Sequence, residues 1–228
     1  MILKQWEDLP AELQVPEVKP YYDVLAKRKF SLVLKRLFDF LAASLLLILL
    51  AIPMLVIAIK IKKDSDGPIF YRQERVTTYG KTFRIHKFRT MVDGADKIGT
   101  AVTAEADPRI TEIGSKLRDY RLDELPQLFD VLSGNMSFVG TRPEVPKYVN
   151  AYTNEMKATL LLPAGITSEA SIHFKDEAEA LTDPADADRV YVEEILPQKM
   201  QYNLASIKKF NVVHELWTMV KTVLAVLR

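Results

Sequence analysis

The sequence has no cysteine. That excludes a disulfide framework, a thiol nucleophile and a thiolate zinc site. Histidine is scarce as well: His86, His173 and His214 lie far apart and show no metal-ligand spacing. Each reads as a surface or packing residue. Any bound metal would therefore be a hard cation on carboxylates, with Mg2+ the first expectation. An excess of charge of one sign is also missing. Lysine and arginine number 31 against 30 acidic residues, a net charge of +1. A nucleic-acid partner requires bulk basicity, so none is expected. The sequence shows no internal repeat and no low-complexity stretch. Its 228 residues suffice for one sizeable domain, or one domain with a membrane element.

What is present is a long apolar run. From Phe40 to Ile59 the sequence FLAASLLLILLAIPMLVIAI carries no charge. As one helix it reaches about 30 Å, the hydrocarbon thickness of a bilayer. It is apolar on every side, which argues against a soluble core helix. It starts too far from Met1, and lacks the cleavage site, for a signal peptide. Pro53 lies inside it, which predicts a kink or break near Leu49–Ile52. Both flanks are basic, with Lys27, Arg28, Lys29, Lys35 and Arg36 before and Lys60, Lys62 and Lys63 after. Basic flanks prefer the cytoplasmic side. A helix–break–helix that enters and leaves by one face satisfies both flanks, and a spanning helix that tolerates its proline is the alternative. Asp39 stands where the chain meets hydrocarbon, and Lys35 and Arg36 offer it a local ion pair.

An adjacent acid pair sits among arginines in Arg118-Asp-Tyr-Arg121-Leu-Asp123-Glu124-Leu-Pro126-Gln127. Guanidinium groups match phosphate oxygens and stay charged. A carboxylate serves as a nucleophile or as a ligand for a hard metal. Pro126 suits a first helical turn, so Asp123 and Glu124 fall at a helix N-terminus, which favours anions. The segment holds the parts for phosphoryl transfer. Acidic residues in a first turn also simply cap helices, and this reading stays open here.

Met1 to about residue 30 forms a polar leader of short helical pieces with Trp6, Tyr21 and Tyr22, lying on the membrane surface or on the domain. Ile69–Val76 and Thr82–Phe88 read as a hairpin whose polar positions, Arg72, Arg75, Arg84, Lys87 and Arg89, are basic. This stripe is a solvated face or an anion site beside lipid head groups. Helices are expected over Ile113–Tyr120, Asp123–Leu132 and Glu144–Leu162, with Ser133-Gly-Asn135 as a C-cap and Val139–Pro143 as a loop. The stretch from His173 to Ala187 is polar and acidic. Helical spacing of Leu204, Ile207, Phe210, Val213, Leu216, Trp217, Val220, Leu224 and Leu227 reads first as packed core, with a membrane-surface face as the alternative.

Taken together, these strings resemble the monotopic phosphoglycosyl transferases, bacterial sugar transferases that initiate glycoconjugate or exopolysaccharide assembly. The resemblance rests on Lys35-Arg36-Leu-Phe-Asp39, Gly67-Pro-Ile-Phe-Tyr-Arg72-Gln-Glu-Arg75, Lys87-Phe-Arg89-Thr-Met91 and Asp107-Pro-Arg109-Ile-Thr111. It continues through Leu122-Asp123-Glu124-Leu-Pro-Gln127-Leu, Asn135-Met-Ser-Phe-Val-Gly140-Thr-Arg142-Pro143 and Gly165-Ile-Thr167. Their order and spacing make the match specific.

The resemblance implies a mainly α fold with a small β-hairpin, a re-entrant membrane helix and amphipathic surface helices. It divides the chain into a leader over 1–30, the re-entrant helix over 31–63 and a catalytic domain over 64–228 on the cytoplasmic face of the inner membrane. It also implies the reaction: a UDP-sugar gives its sugar 1-phosphate to polyprenyl phosphate, by ping-pong through a covalent phosphosugar on Asp123. Glu124, with Asp123, would hold Mg2+, and Arg118, then Arg142, Lys87 and Arg89, would bind phosphate. Arg36 and Asp39 match the motif where the chain enters the membrane, and Pro53 matches the break. A homodimer is left open. Competing readings are a nucleotide-sugar hydrolase and a non-catalytic membrane-anchored scaffold.

The sequence departs from the family pattern at three places. Ile52 precedes Pro53 where serine is usual, and Thr141 replaces a proline. Ser168-Glu-Ala-Ser171 replaces Gly-Trp-Ala-Gln.

Overall fold

The computed structural model describes residues 2–95, 107–174 and 186–226. The segments 96–106 and 175–185 lie outside the described residues, and with the second goes most of the polar, acidic stretch noted above.

The leader packs on the domain. Its two 3-10 turns and α1 (Lys19–Ala26) bury Leu9, Leu13, Val18, Tyr21 and Leu25 against Leu161, Leu204, Ile207 and Phe210. Next comes α2 (Lys29–Asp64), 36 residues long. Pro53 does not interrupt it. The proline removes only the bond to the Leu49 carbonyl, and long helical stretches on both sides carry the defect.

Aromatic and β-branched alternation gives the expected hairpin. β1 (Phe70–Val76) pairs antiparallel with β2 (Thr82–Phe88), from Phe70 opposite Phe88 to Val76 opposite Thr82. α3 (Glu112–Asp119) starts on Thr111, whose hydroxyl accepts the Gly114 N–H. α4 (Gln127–Ser133) ends on Gly134 at φ 88°, the cap that Ser-Gly-Asn predicts.

Beyond α4 the structure departs from expectation. Met136–Val139 is a strand, β3, and it pairs in parallel with β4 (Ala164–Thr167). Both are four-residue, mostly buried segments, too short to show a period. Gly140, just past β3, and Gly165, inside β4, approach so closely that a Cβ on Gly165 would lie 2.2 Å from the Gly140 nitrogen. The single helix expected over Glu144–Leu162 is instead α5 (Pro146–Val149) and a 3-10 segment, Met156–Leu161. Asn150, Thr153 and Asn154 favour turns over helix and divide it. The chain ends its described part with α6 (Glu169–His173), α7 (Ala187–Val190), a π-helical turn (Tyr191–Ile195), α8 (Leu196–Lys208) and α9 (Val212–Val226).

Two helices keep an outward apolar face. On α2, Ala43, Met54 and Ile61 are buried, while Ile48, Leu49, Ile52 and Leu55 are exposed. The C-terminal stripe divides at Phe210: Leu204, Ile207 and Phe210 are core, but Val213, Trp217, Val220 and Leu224 are exposed. The core reading therefore holds only for α8. Lys35 pairs with Glu215 and joins the two helices. Together they present an apolar surface suited to a membrane.

Candidate active site

The acid pair lies between two short helices. Arg121 after α3 has φ 53°, a left-handed turn that redirects the chain. A 3-10 turn, Leu122–Glu124, follows, and Pro126 leads into α4 with φ −63°. Proline fits there because its position needs no N–H. Asp123 and Glu124 thus stand at the start of a helical segment, as the sequence predicts.

Three elements meet these carboxylates. Lys87 on β2 donates to Glu124 Oε1 at 2.8 Å and lies 4.0 Å from Asp123 Oδ2. Arg142, just past β3, grips Glu124 with both terminal nitrogens, Nη1 at 3.3 Å from Oε2 and Nη2 on Oε1. Arg118, in the last turn of α3, acts on the charge of Asp123.

The two carboxylates are driven apart. Burial pushes Glu124 up, but the charges and hydrogen bonds of Arg142 and Lys87 outweigh it and hold the group well below the usual carboxylate range. Burial also pushes Asp123 up, helped by the charge of Glu124. Lys87, Arg118 and Arg142 offset this only in part, so Asp123 stays raised. Burial lowers Lys87, against the pull of Glu124. Asp123 accepts no hydrogen bond among the described residues, although only 13% of its side chain is exposed. The result is a committed, anionic Glu124 beside an uncommitted, more basic Asp123. Such separation is how a site assigns two roles to two like groups.

The remaining sequence candidates lie elsewhere. Arg89, expected among the phosphate ligands, is 4% exposed and donates to the Ser65 and Asp66 carbonyls at 2.6 Å each. The reason is position: it stands at the end of β2 where α2 finishes and leaves carbonyls without helical partners. Gly67, at φ 121°, makes room; a Cβ there would sit 2.0 Å from Arg89 Nη1. Arg36 donates to the Val131 and Leu132 carbonyls at 2.6 and 2.8 Å, at the C-terminal end of α4, where a cation is favoured. Asp39 does not take the local ion pair expected of it. It accepts from Ser137 Oγ at 2.8 Å and the Phe138 N–H at 3.1 Å. Pro53 is exposed on α2.

Sequence reasoning missed Asp130. Buried on α4, it accepts both the backbone N–H of His86 and its Nδ1, each at 2.8 Å, and so fixes β2 beside Lys87. Nothing in the local sequence marks it. Among the described residues no cluster of three or more His, Cys, Asp or Glu forms a protein-only metal cage. Mg2+ commonly takes one or two carboxylates and completes its shell with water and substrate phosphate. The oxygens of Asp123, which accept no hydrogen bond among the described residues, fit that pattern, whereas Glu124 would join a metal only by releasing a bond to Lys87 or Arg142.

Comparison with known proteins decides the family. Residues 30–228 match the family described as bacterial sugar transferase. The chain belongs to that family. Among the sugar transferases it resembles is a Bacillus subtilis (strain 168) protein named putative undecaprenyl-phosphate N-acetylgalactosaminyl 1-phosphate transferase. The two are 44% identical over 126 residues, covering 55% of this chain and 70% of the relative. The UDP-glucose:undecaprenyl-phosphate glucose-1-phosphate transferase of Escherichia coli (strain K12) is 34% identical over 206 residues, 88% of this chain and 41% of the relative. The undecaprenyl-phosphate galactose phosphotransferase of Salmonella typhimurium is 34% identical over 170 residues, 68% of this chain and 35% of the relative. This sugar transferase therefore spans less than half the length of the latter two.

Proposed function

We propose that this chain transfers a sugar 1-phosphate from a UDP-sugar to a membrane polyprenyl phosphate, undecaprenyl phosphate by the names of its relatives. The products are polyprenyl diphosphate-sugar and UMP. The observation that carries this reading is the uncommitted Asp123 beside three cationic side chains.

In the first half-reaction an Asp123 oxygen attacks the phosphorus that bears the sugar. The bond from that phosphorus to the nucleoside monophosphate breaks, and its electron pair leaves on UMP. In the second, a polyprenyl phosphate oxygen attacks the same phosphorus. The bond to Asp123 breaks and its electron pair returns to the carboxylate. Neither half needs a net proton. Lys87, Arg118 and Arg142 offset the negative charge of both phosphate substrates. Burial keeps Asp123 basic enough to attack. Mg2+, held by Glu124 with Asp123, would supply further charge neutralisation on the diphosphate.

The membrane arrangement follows from the anchoring of α2. Before the apolar run, Arg36 and Asp39 bond to α4 and β3. After it, Asp64 accepts the Ile113 N–H at 3.3 Å and Arg89 holds Ser65 and Asp66. A polar body tied to both ends of the run lies on one side of the bilayer. This supports an α2 that enters and leaves by one face without a helical break at Pro53, with the domain at the cytoplasmic face of the inner membrane.

The decisive experiment traps a phosphosugar adduct on Asp123 by mass spectrometry, using Asp123→Asn as the control. Wild type is expected to form the adduct with UDP-sugar alone and to turn over only when polyprenyl phosphate is added. Asp123→Asn is expected to do neither while still partitioning into membranes. Turnover in that variant would refute the nucleophile, and sustained UMP release without lipid would favour hydrolysis. Cysteines placed at Lys29 and Lys63 report topology, and labelling from opposite faces would exclude the re-entrant form.

A further inference from the structure

Glu144 is a buried carboxylate that the reaction above does not use. It stands two residues after Arg142, on the segment past β3. Its carboxylate accepts from the Tyr191 hydroxyl, 47 residues further on. That hydroxyl accepts in turn from Lys199 Nζ at 3.0 Å, and Lys199 Nζ lies 3.6 Å from Glu144 Oε1. Tyr191 opens the π-helical turn and Lys199 stands on α8, both buried. A buried ion pair commonly adds no stability over apolar side chains of the same volume, and its best-attested use is to fix a register. Single π turns are rare and recur at functional sites.

What this group fixes is the segment that carries Arg142. On one side, the Gly140 N–H donates to the Thr167 carbonyl at 3.0 Å and the Gly165 N–H to the Thr141 carbonyl at 2.9 Å. On the other side β1 takes over. Its Val76 N–H donates to the Glu144 carbonyl at 2.9 Å, and Arg75 Nη1 donates to the Pro143 carbonyl at 3.0 Å. The backbone is thus held on both sides of Arg142, whose side chain reaches Glu124. β1 is also the partner strand of β2, which carries Lys87. The two cations on Glu124 therefore come from backbones joined through β1. The Glu144 carboxylate locks this junction to the π-helical turn and α8.

We propose that Glu144 is a positioning residue for Arg142. Locked by Tyr191 and Lys199, it sets the backbone from which the Arg142 guanidinium grips Glu124 with both terminal nitrogens. This deepens the phosphoryl-transfer reading above and rests on it. A two-point fork needs tighter placement than a point charge does. A shift of the segment by about 1 Å loosens the fork, and with it the charge that Arg142 brings to Asp123. Glu144 acts through Arg142 and touches no substrate.

The test is a double-variant cycle in the full-length membrane-bound protein, read as the single-turnover rate of adduct formation per folded molecule. Glu144→Gln keeps the shape of the side chain and removes its charge. The expected result is a fall of about 10-fold when Arg142 is present, and of less than about 2-fold when Arg142 is already alanine, since the lock then has nothing to place. Equal falls in both backgrounds overturn the proposal, as does an unchanged rate. The pH profile is a second readout. Burial raises Asp123, and so does Glu124, while Lys87, Arg118 and Arg142 lower it. A displaced Arg142 lowers it less, so the acid limb is expected to move to higher pH in Glu144→Gln. A limb that stays in place overturns the proposal. Should Glu144→Gln fail to fold, Tyr191→Phe takes its place in the same cycle, with a fall of about 3-fold expected when Arg142 is present. Absence of any adduct in wild type would remove the covalent reading itself, and the cycle is then read on UMP release. Equal falls in both backgrounds with a normal wild-type adduct remove only this inference.

Discussion

Two clusters in this molecule use nearly the same residues to opposite ends. On α2, Lys35, Arg36 and Asp39 gather with Glu215 of α9. Ahead of α4, Lys87 and Arg142 gather with Asp123 and Glu124. In the first cluster the groups face fixed partners: Lys35 the Val139 carbonyl and Glu215, Arg36 two α4 carbonyls, Asp39 a hydroxyl and a backbone N–H. In the second, Glu124 takes two cations, while Asp123 accepts no hydrogen bond among the described residues and has Lys87 4.0 Å away. Charge content does not separate scaffold from chemistry here. The separation lies in which group is left uncommitted.

The sharpest way to break this comparison is a pair of variants. Lys87→Met removes the cation that reaches both carboxylates while Arg142 still holds Glu124. We expect kcat/KM for UMP release to fall by about 100- to 1000-fold, with little change in melting temperature. Asp39→Ala should do the reverse. It leaves Ser137 and the Phe138 N–H unpaired in the interior, which costs about 3 kcal/mol, while the protein that remains folded keeps its KM. Thermal melts and active-site titration measure both. If Asp39→Ala lowers activity per folded molecule as far as Lys87→Met does, the division into scaffold and site is wrong.

Acidity offers a smaller test. Only ionised Asp123 attacks, and burial raises it above the ordinary carboxylate value of 3.8. Activity is therefore present above the raised value and lost as pH falls through it, about tenfold per pH unit. A kcat/KM profile whose acid limb begins above the ordinary carboxylate range agrees with this. A flat profile down to that range would mean that Asp123 is better solvated than its burial indicates.

What was legible in the sequence was local. The hairpin, α3 and the Gly134 cap follow from alternation, spacing and turn chemistry within a few residues. The adjacency of Asp123 and Glu124 and the proline behind them needed no fold to be seen. Illegible were partners far along the chain. Asp39 is held by Ser137, 98 residues away, and Arg36 by a carbonyl 95 residues away. Arg89 looked like a phosphate ligand because a basic strand position shows its charge but not the carbonyls that occupy it. β3 and β4 are too short to carry a period, and their pairing depends on two glycines 25 residues apart, at 140 and 165. Lys87 and Arg142 were reached through motif resemblance; physics alone did not bring them from 37 and 18 residues away to Glu124.

The departure at Ser168–Ser171 now has a physical role, and with it comes the smallest prediction. Ser168 caps α6 by accepting the Ser171 N–H at 2.9 Å. Glu169 then reaches α9, where Thr218 Oγ1 donates at 2.9 Å and Lys221 Nζ also donates. Burial opposes the charge on Glu169, but these bonds prevail and hold its pKa below the ordinary 4.5. The stabilisation is therefore complete above 4.5 and is lost as pH falls through the lower, folded value. Lys221 is 33% exposed, so solvent screening limits the clamp to about 1 kcal/mol. Glu169→Gln should loosen α9 without touching Lys87 or Asp123, and kcat should stay near wild type. Trp217 on the outward face of α9 is the reporter: in lipid vesicles its emission should shift slightly in the variant, and in wild type at acid pH. Glu169 would then stand with Asp39 as a charge that places an element. A large loss of kcat with unmoved Trp217 emission would instead put Glu169 with the site.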